Sequence, residues 1–162
     1  MDTTGYAPGD RSSGRMIVRA VIVWSGILVL AILNGGLREG VITPTWGSQT
    51  GHVLSTLLLC IAIFVVTFLT IRWISPSTTN GAMWLGFLWA ALTLAFEFLA
   101  GRYLFGATWE SLLEQYNVLA GSVWPLVPIT MFLSPVAMHR VRRRPSAALT
   151  QRRRRALSSA GG

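Results

Sequence analysis

Four apolar runs, each close to the length of a bilayer-spanning helix, limit what this chain can become more than any other feature. They cover 16–36, 52–73, 82–101 and 118–139, and about 20 apolar residues suffice for a helix to cross the hydrocarbon layer. Water is absent there, so every backbone polar group must be satisfied within the segment, which selects helices. The expected fold is therefore all-α, an integral membrane four-helix bundle. Composition agrees: 52% of the residues are hydrophobic and 12% charged, against about 25% charged in soluble domains. The first run follows Arg15 and Arg19 as a signal peptide would. It outlasts an apolar signal core, however, and ends at Leu33-Asn34-Gly35-Gly36 without a small-x-small cleavage site, so it is read as a span.

Charge then orients the bundle. The formal net charge is +8, and every basic residue other than the two histidines is arginine, a weak sign of a GC-rich bacterium. With four spans, Arg11, Arg15, Arg19, Arg72, Arg140, Arg142, Arg143, Arg144 and Arg152 to Arg155 fall on one side, and Arg38 and Arg102 on the other. The arginine-rich side is the cytoplasmic one. Both termini are thus expected in the cytoplasm, and the chain in a bacterial inner membrane. Residues 1–15 read as a disordered lead, 16–139 as the membrane domain and 140–162 as a disordered arginine-rich tail. Arg140, Arg142, Arg143 and Arg144 are candidate contacts for anionic lipid, worth about 1 kcal/mol each near a charged surface. That reading displaces nucleic acid as the partner of the positive charge. Cys60 stands alone, so neither an internal disulfide nor a cysteine metal site is expected. No phosphate loop, GxSxG, HExxH or CxxC occurs, and no cofactor, metal or catalytic residue is assigned.

Helical phase says which faces turn inward. At about 100° per residue, Ala82, Gly86, Ala90, Thr93, Glu97 and Gly101 share one narrow sector of the third span. The large residues Trp84, Leu85, Phe87, Trp89, Leu92, Phe96 and Phe98 take the rest. Small residues let helix backbones approach closely in lipid, so the stripe is a packing face and Glu97 points into the bundle. The second span aligns His52, Thr56, Cys60, Thr67 and Thr70; the first aligns Ala20, Ile27, Ala31, Asn34 and Arg38 if the helix survives Gly35-Gly36. In the fourth, Asn117, Gly121, Trp124, Pro128 and Pro135 share a face with Pro125 nearby. Each proline deprives the carbonyl four residues earlier of its partner, so this helix is expected to be proline-kinked, with the broken backbone facing protein. Between spans lie an outer loop at 37–51, a short turn at 74–81, and an outer connection at 102–117. The last carries a short helix opened by Thr108. Gly36-Leu37-Arg38 with Thr45-Trp46 echoes Ala100-Gly101-Arg102 with Thr108-Trp109, compatible with a two-fold internal repeat.

These projections gather Asn34, Arg38, Glu39, His52, Thr56, Glu97, Tyr116, Asn117 and Trp124 in the outer half of the membrane, the one candidate site in the chain. Glu97 is expected to pair with Arg38. The only other histidine, His139, sits at the opposite end, which rules out a histidine pair. The motifs at these positions are Asn34-Gly35, Arg38-Glu39, His52 with Ser55-Thr56, Phe96-Glu97, and Trp109, Leu112-Leu113, Tyr116-Asn117, Gly121 and Trp124. Over 17–139 the chain resembles small four-span bacterial membrane proteins of unknown function. The resemblance implies the four-span architecture and the importance of the outer cluster, but no activity. The favoured function is a non-enzymatic bundle that binds an amphiphile, a lipid or a membrane-protein partner, with a homo-oligomer compatible. The alternatives are a small proton- or solute-coupled transporter and a membrane enzyme using Glu97 and His52.

Overall fold

The computed structural model describes residues 10–142, and within them all regular structure is helical. The elements are α1 (Asp10–Leu37), a π segment (Arg38–Ile42), α2 (Thr43–Trp46), α3 (Ser48–Ile74), α4 (Thr79–Tyr103), α5 (Trp109–Glu114), a 3-10 turn (Val118–Ala120) and α6 (126–142). Three stretches are long and apolar enough to cross a membrane: Ser13–Trp46, Ser48–Ile74 and Thr79–Tyr103. The tail from residue 143, including Arg143 and Arg144, lies outside the described residues, as does the lead before Asp10. α1 starts at Asp10, within the stretch expected to be unstructured, and an acid at that position complements the helix dipole.

The first connection differs from the expected loop. Gly35 and Gly36 do not end α1, and the chain stays helical through the π segment and α2 until Gly47 turns it at φ 84°. Thr45 Oγ1 donates to the Val41 carbonyl at 2.7 Å. The chain then doubles back so tightly that a Cβ on Gly51 would lie 2.9 Å from Thr43 Oγ1. Trp46 closes α2 whereas Trp109 opens α5, so the two connections of the suggested repeat are built differently. At the opposite end, Ser75 caps α3 in the left-handed conformation, and Thr78 accepts the Gly81 N–H at 3.0 Å to start α4.

The fourth apolar run becomes regular α-helix at 126 rather than 118. Gly121 reverses the chain at φ 86°, and the Val127 N–H takes the Trp124 carbonyl at 3.0 Å. That carbonyl is the one Pro128 cannot reach, so a turn satisfies it. Pro125 and Pro128 fall in the entry turn, where missing donors cost least, and the helical assignment continues through Pro135. Pro125 and Pro128 therefore mark the start of α6, and Pro135 lies within it.

The core joins Ala20, Val23 and Ile27 of α1, Leu59, Ile63 and Ile71 of α3, Leu85 and Trp89 of α4, and Val127 and Met131 of α6. The inward stripes of α3 and α4 hold: Thr56, Thr67, Ala82, Gly86 and Thr93 are buried. Gly86 lets α4 meet α6 backbone to backbone, since a Cβ there would collide with the Phe132 carbonyl. Thr67 and Ser134 share a hydrogen bond of 3.1 Å between α3 and α6, the polar tie that lipid-embedded helices use in place of a hydrophobic drive. Two of the large residues set outside the stripe, Leu85 and Trp89, are buried, and Trp89 most clearly corrects the phase reading. It is wholly buried and donates Nε1 to the Ala20 carbonyl at 2.9 Å, because the small Ala20 leaves room for an indole that the stripe assigned to the outside. Outward, Trp84, Phe87, Leu69 and Ile61 are exposed, an apolar exterior suited to acyl chains.

Candidate functional site

Glu97 lies in the last two turns of α4, and two connections bring it partners. Thr108 caps α5 by accepting the Ser111 N–H at 3.2 Å. Gly101 admits Leu112 against the α4 backbone, where a Cβ would come within 2.5 Å of Leu112 Cδ2. With α5 fixed, the following turn (Tyr116 N–H to the Leu113 carbonyl, 2.9 Å) swings Tyr116 over α4. Its ring stacks on Phe98 at 5.7 Å, and Phe98 stacks in turn on Trp109 at 6.3 Å. The Tyr116 hydroxyl donates to Glu97 Oε2. Trp124, placed by the turn before α6, donates Nε1 to the same oxygen at 3.1 Å. Both bonds converge on Oε2, and Oε1 takes neither.

From Trp124 the cluster continues sideways. His52 stacks on its indole at 6.0 Å and 29°, and Arg38 Nη1 lies 3.4 Å from His52 Nδ1. Arg38 Nε donates to Glu39 Oε1 at 2.9 Å. The expected Arg38–Glu97 pair is therefore corrected: Arg38 pairs with its neighbour, and Glu97 is held by two neutral donors. The cause is local. The adjacent Glu39 takes the Arg38 guanidinium, while Tyr116 and Trp124, delivered by the connection before α6, take Glu97 Oε2. Asn34 Nδ2 donates to the Ser55 carbonyl at 3.0 Å, while its Oδ1 is buried without a partner. Thr56 is fully buried, and its Oγ1 donates to the His52 carbonyl at 2.8 Å. Asn117 serves the turn, its carbonyl accepting the Ser122 N–H at 3.3 Å.

Below Glu97 a cavity of about 160 Å³ separates α1, α3, α4 and α6. Ile27, Ala31, Leu59, Ile63, Val127 and Met131 line it, and among the described residues Glu97 is the only ionisable one in its wall. Trp24 also lines it, donating Nε1 to Thr93 Oγ1 at 3.1 Å and meeting Phe96 edge to face at 6.5 Å. Sequence reasoning passed over Trp24, although it sits three residues before Ile27 and seven before Ala31 and so shares their face. Outside the spanning helices, burial pushes the Tyr116 phenol well above its ordinary value, and the bond and charge of Glu97 push it further.

Among the described residues no group of His, Cys, Asp and Glu is placed to hold a metal ion. Arg102 donates to the Ala107 carbonyl at 3.2 Å, a contact from the last turn of α4 to the connection that follows it. At the other end Arg19 binds the Trp73 carbonyl at 2.8 Å and covers its ring. Arg142 behaves similarly: it donates to the Phe68 carbonyl and lies over that ring at 4.3 Å. Its guanidinium is thus turned onto α3, whereas Arg140 is exposed. Comparison with protein-family models, curated proteins and solved structures found no match.

Proposed function

We propose that this protein is a non-enzymatic membrane bundle that takes a small amphiphile into the cavity beside Glu97. The observation that carries the reading is one carboxylate, oriented by two donors, in the wall of an otherwise apolar cavity. Apolar lining with few convergent polar groups is the general pattern of small-molecule sites. The volume, about 160 Å³, is close to that of engineered cavities of ~150 Å³ that take up benzene. Native mass spectrometry of the protein released from a mild detergent tests it. A retained small molecule is expected, together with its loss in Ala31→Phe, which fills the cavity. A bare protein mass under every gentle condition refutes the reading.

The same proposal sets the bundle in a bacterial inner membrane, with α6 as the fourth crossing and both termini cytoplasmic. The arginine asymmetry supports this orientation, which puts Glu97 in the outer leaflet. In a Cys60→Ala background, an impermeant thiol reagent should modify Gln49→Cys from outside intact cells and leave Ser158→Cys untouched. The reverse pattern overturns the orientation.

A further inference from the structure

We infer that the ligand of this cavity is a lipophilic ammonium ion, its apolar group buried beneath Glu97 and its charged nitrogen on Glu97 Oε1, entering sideways from the bilayer between α1 and α4. The inference rests on the amphiphile-binding reading and gives that ligand its chemistry.

Charge is the first argument. Both groups that hold Glu97, the Tyr116 hydroxyl and the Trp124 indole, are neutral, and both occupy Oε2. The guanidinium that could have balanced the carboxylate is bound to Glu39. A lone carboxylate in an apolar wall is costly to ionise, and a protonated amine supplies the counter-charge that its ionised form needs. An anionic head would be repelled. A neutral alcohol would bond to Oε1 but leave the charge uncompensated.

The surrounding aromatics favour the same class of head. Trp24, Phe96 and Trp124 all line the cavity around Glu97, and aromatic faces attract alkylammonium groups. Beneath them the walls are aliphatic, and the space admits roughly one ring. A longer apolar tail must therefore leave the cavity, and the lining shows where. Ile32 belongs to the cavity wall and is also 60% exposed on the outer surface of α1. One turn before Glu97 on α4, the Trp24–Thr93 bond ties α1 to α4. The opening thus lies between α1 and α4 beside Ile32, facing acyl chains rather than water.

Thermal unfolding of the unaltered full chain in dodecyl maltoside at neutral pH, with benzylamine, benzyl alcohol or phenylacetate added, tests the head group. Benzylamine should stabilise saturably, benzyl alcohol should bind at least about tenfold more weakly for want of the charge, and phenylacetate should have no effect. Equal affinities for amine and alcohol overturn the ammonium assignment and leave the cavity reading standing. No response to any of the three, with no molecule retained in native mass spectrometry, removes both. Glu97→Gln should abolish the preference for amine over alcohol, and a preference that survives in this variant also overturns the assignment. For the source of the ligand, dodecylamine in phosphatidylcholine nanodiscs should bind more tightly than benzylamine, since its tail stays in the bilayer; the opposite order assigns the site to a water-borne amine and overturns the lateral entry. Ile32→Trp, which crowds the opening, should slow dodecylamine association several-fold, and an unchanged rate likewise overturns that route.

Discussion

Tyr116→Phe removes one hydroxyl and keeps the ring that stacks on Phe98 at 5.7 Å, so its cost isolates the bond to Glu97. A hydrogen bond to a charged acceptor contributes about 1.5–3 kcal/mol, and the surviving Trp124 bond at 3.1 Å holds the carboxylate near the lower end. Glu97→Gln keeps an acceptor but loses the charge. In a double-mutant cycle the two changes should therefore couple by about 1–2 kcal/mol, within the range for contacting residues. Arg38→Gln combined with Glu97→Gln supplies the contrast. Arg38 bonds to Glu39 and reaches Glu97 only through His52 and Trp124, so that pair should couple by about 0.5 kcal/mol or less. Unfolding by sodium dodecyl sulfate in mixed micelles, followed by far-ultraviolet circular dichroism, measures both cycles. Strong coupling in the Arg38 cycle with none in the Tyr116 cycle would restore the ion pair and refute the site geometry.

Three further outcomes follow from the packing and the phenol. Gly86→Val should destabilise by about 1–3 kcal/mol through overpacking, since its Cβ meets the Phe132 carbonyl. Gly26→Ala, with nothing within 4 Å, should be neutral or stabilise by about 0.5–1 kcal/mol; equal losses in thermal unfolding would place α6 elsewhere. Trp89→Phe deletes the bond to the Ala20 carbonyl and leaves a small void, a loss of about 2 kcal/mol that denaturation by sodium dodecyl sulfate would register. Because the folded state raises the Tyr116 phenol, the stability it contributes is complete below the ordinary tyrosine value of about 10 and is lost as pH rises beyond it. The stability advantage of the unaltered chain over Tyr116→Phe should shrink between about pH 10 and 11, and an advantage that grew there would contradict the burial of the hydroxyl.

Much of the fold was legible because lipid leaves few options. Apolar length announced the helices, and small residues announced the α4 face that Gly86 and Thr93 now occupy. Boundaries were less legible. Gly35-Gly36 reads as a stop, yet a helix already paid for by its neighbours on α3 tolerates two glycines at modest cost. The prolines of the fourth run read as a bend in a helix from 118. The structure uses two of them to begin α6 at 126, with the Trp124 carbonyl closed by Val127. Nothing local in the sequence distinguishes a proline that breaks a helix from one that opens it. That depends on where the preceding turn ends, and Gly121 at φ 86° fixes it.

The site divides along the same line. Phase identified the direction of Glu97 because direction is a property of one helix, repeated every turn by Ala82, Gly86, Ala90 and Thr93. Its partners are not a property of any helix. Tyr116 reaches Oε2 only because Gly101 accepts Leu112 and Thr108 caps α5, two contacts made by the connection that follows α4. Arg38 was misassigned for the complementary reason: phase gives a direction but not a partner, and the neighbouring Glu39 takes its guanidinium. A pairing inferred across two helices therefore carries the error of both phases, whereas a bond delivered by a loop has no phase to infer. Trp124 escaped this, since it lies in the turn just ahead of α6, close enough to the regular helix for its projected face to survive.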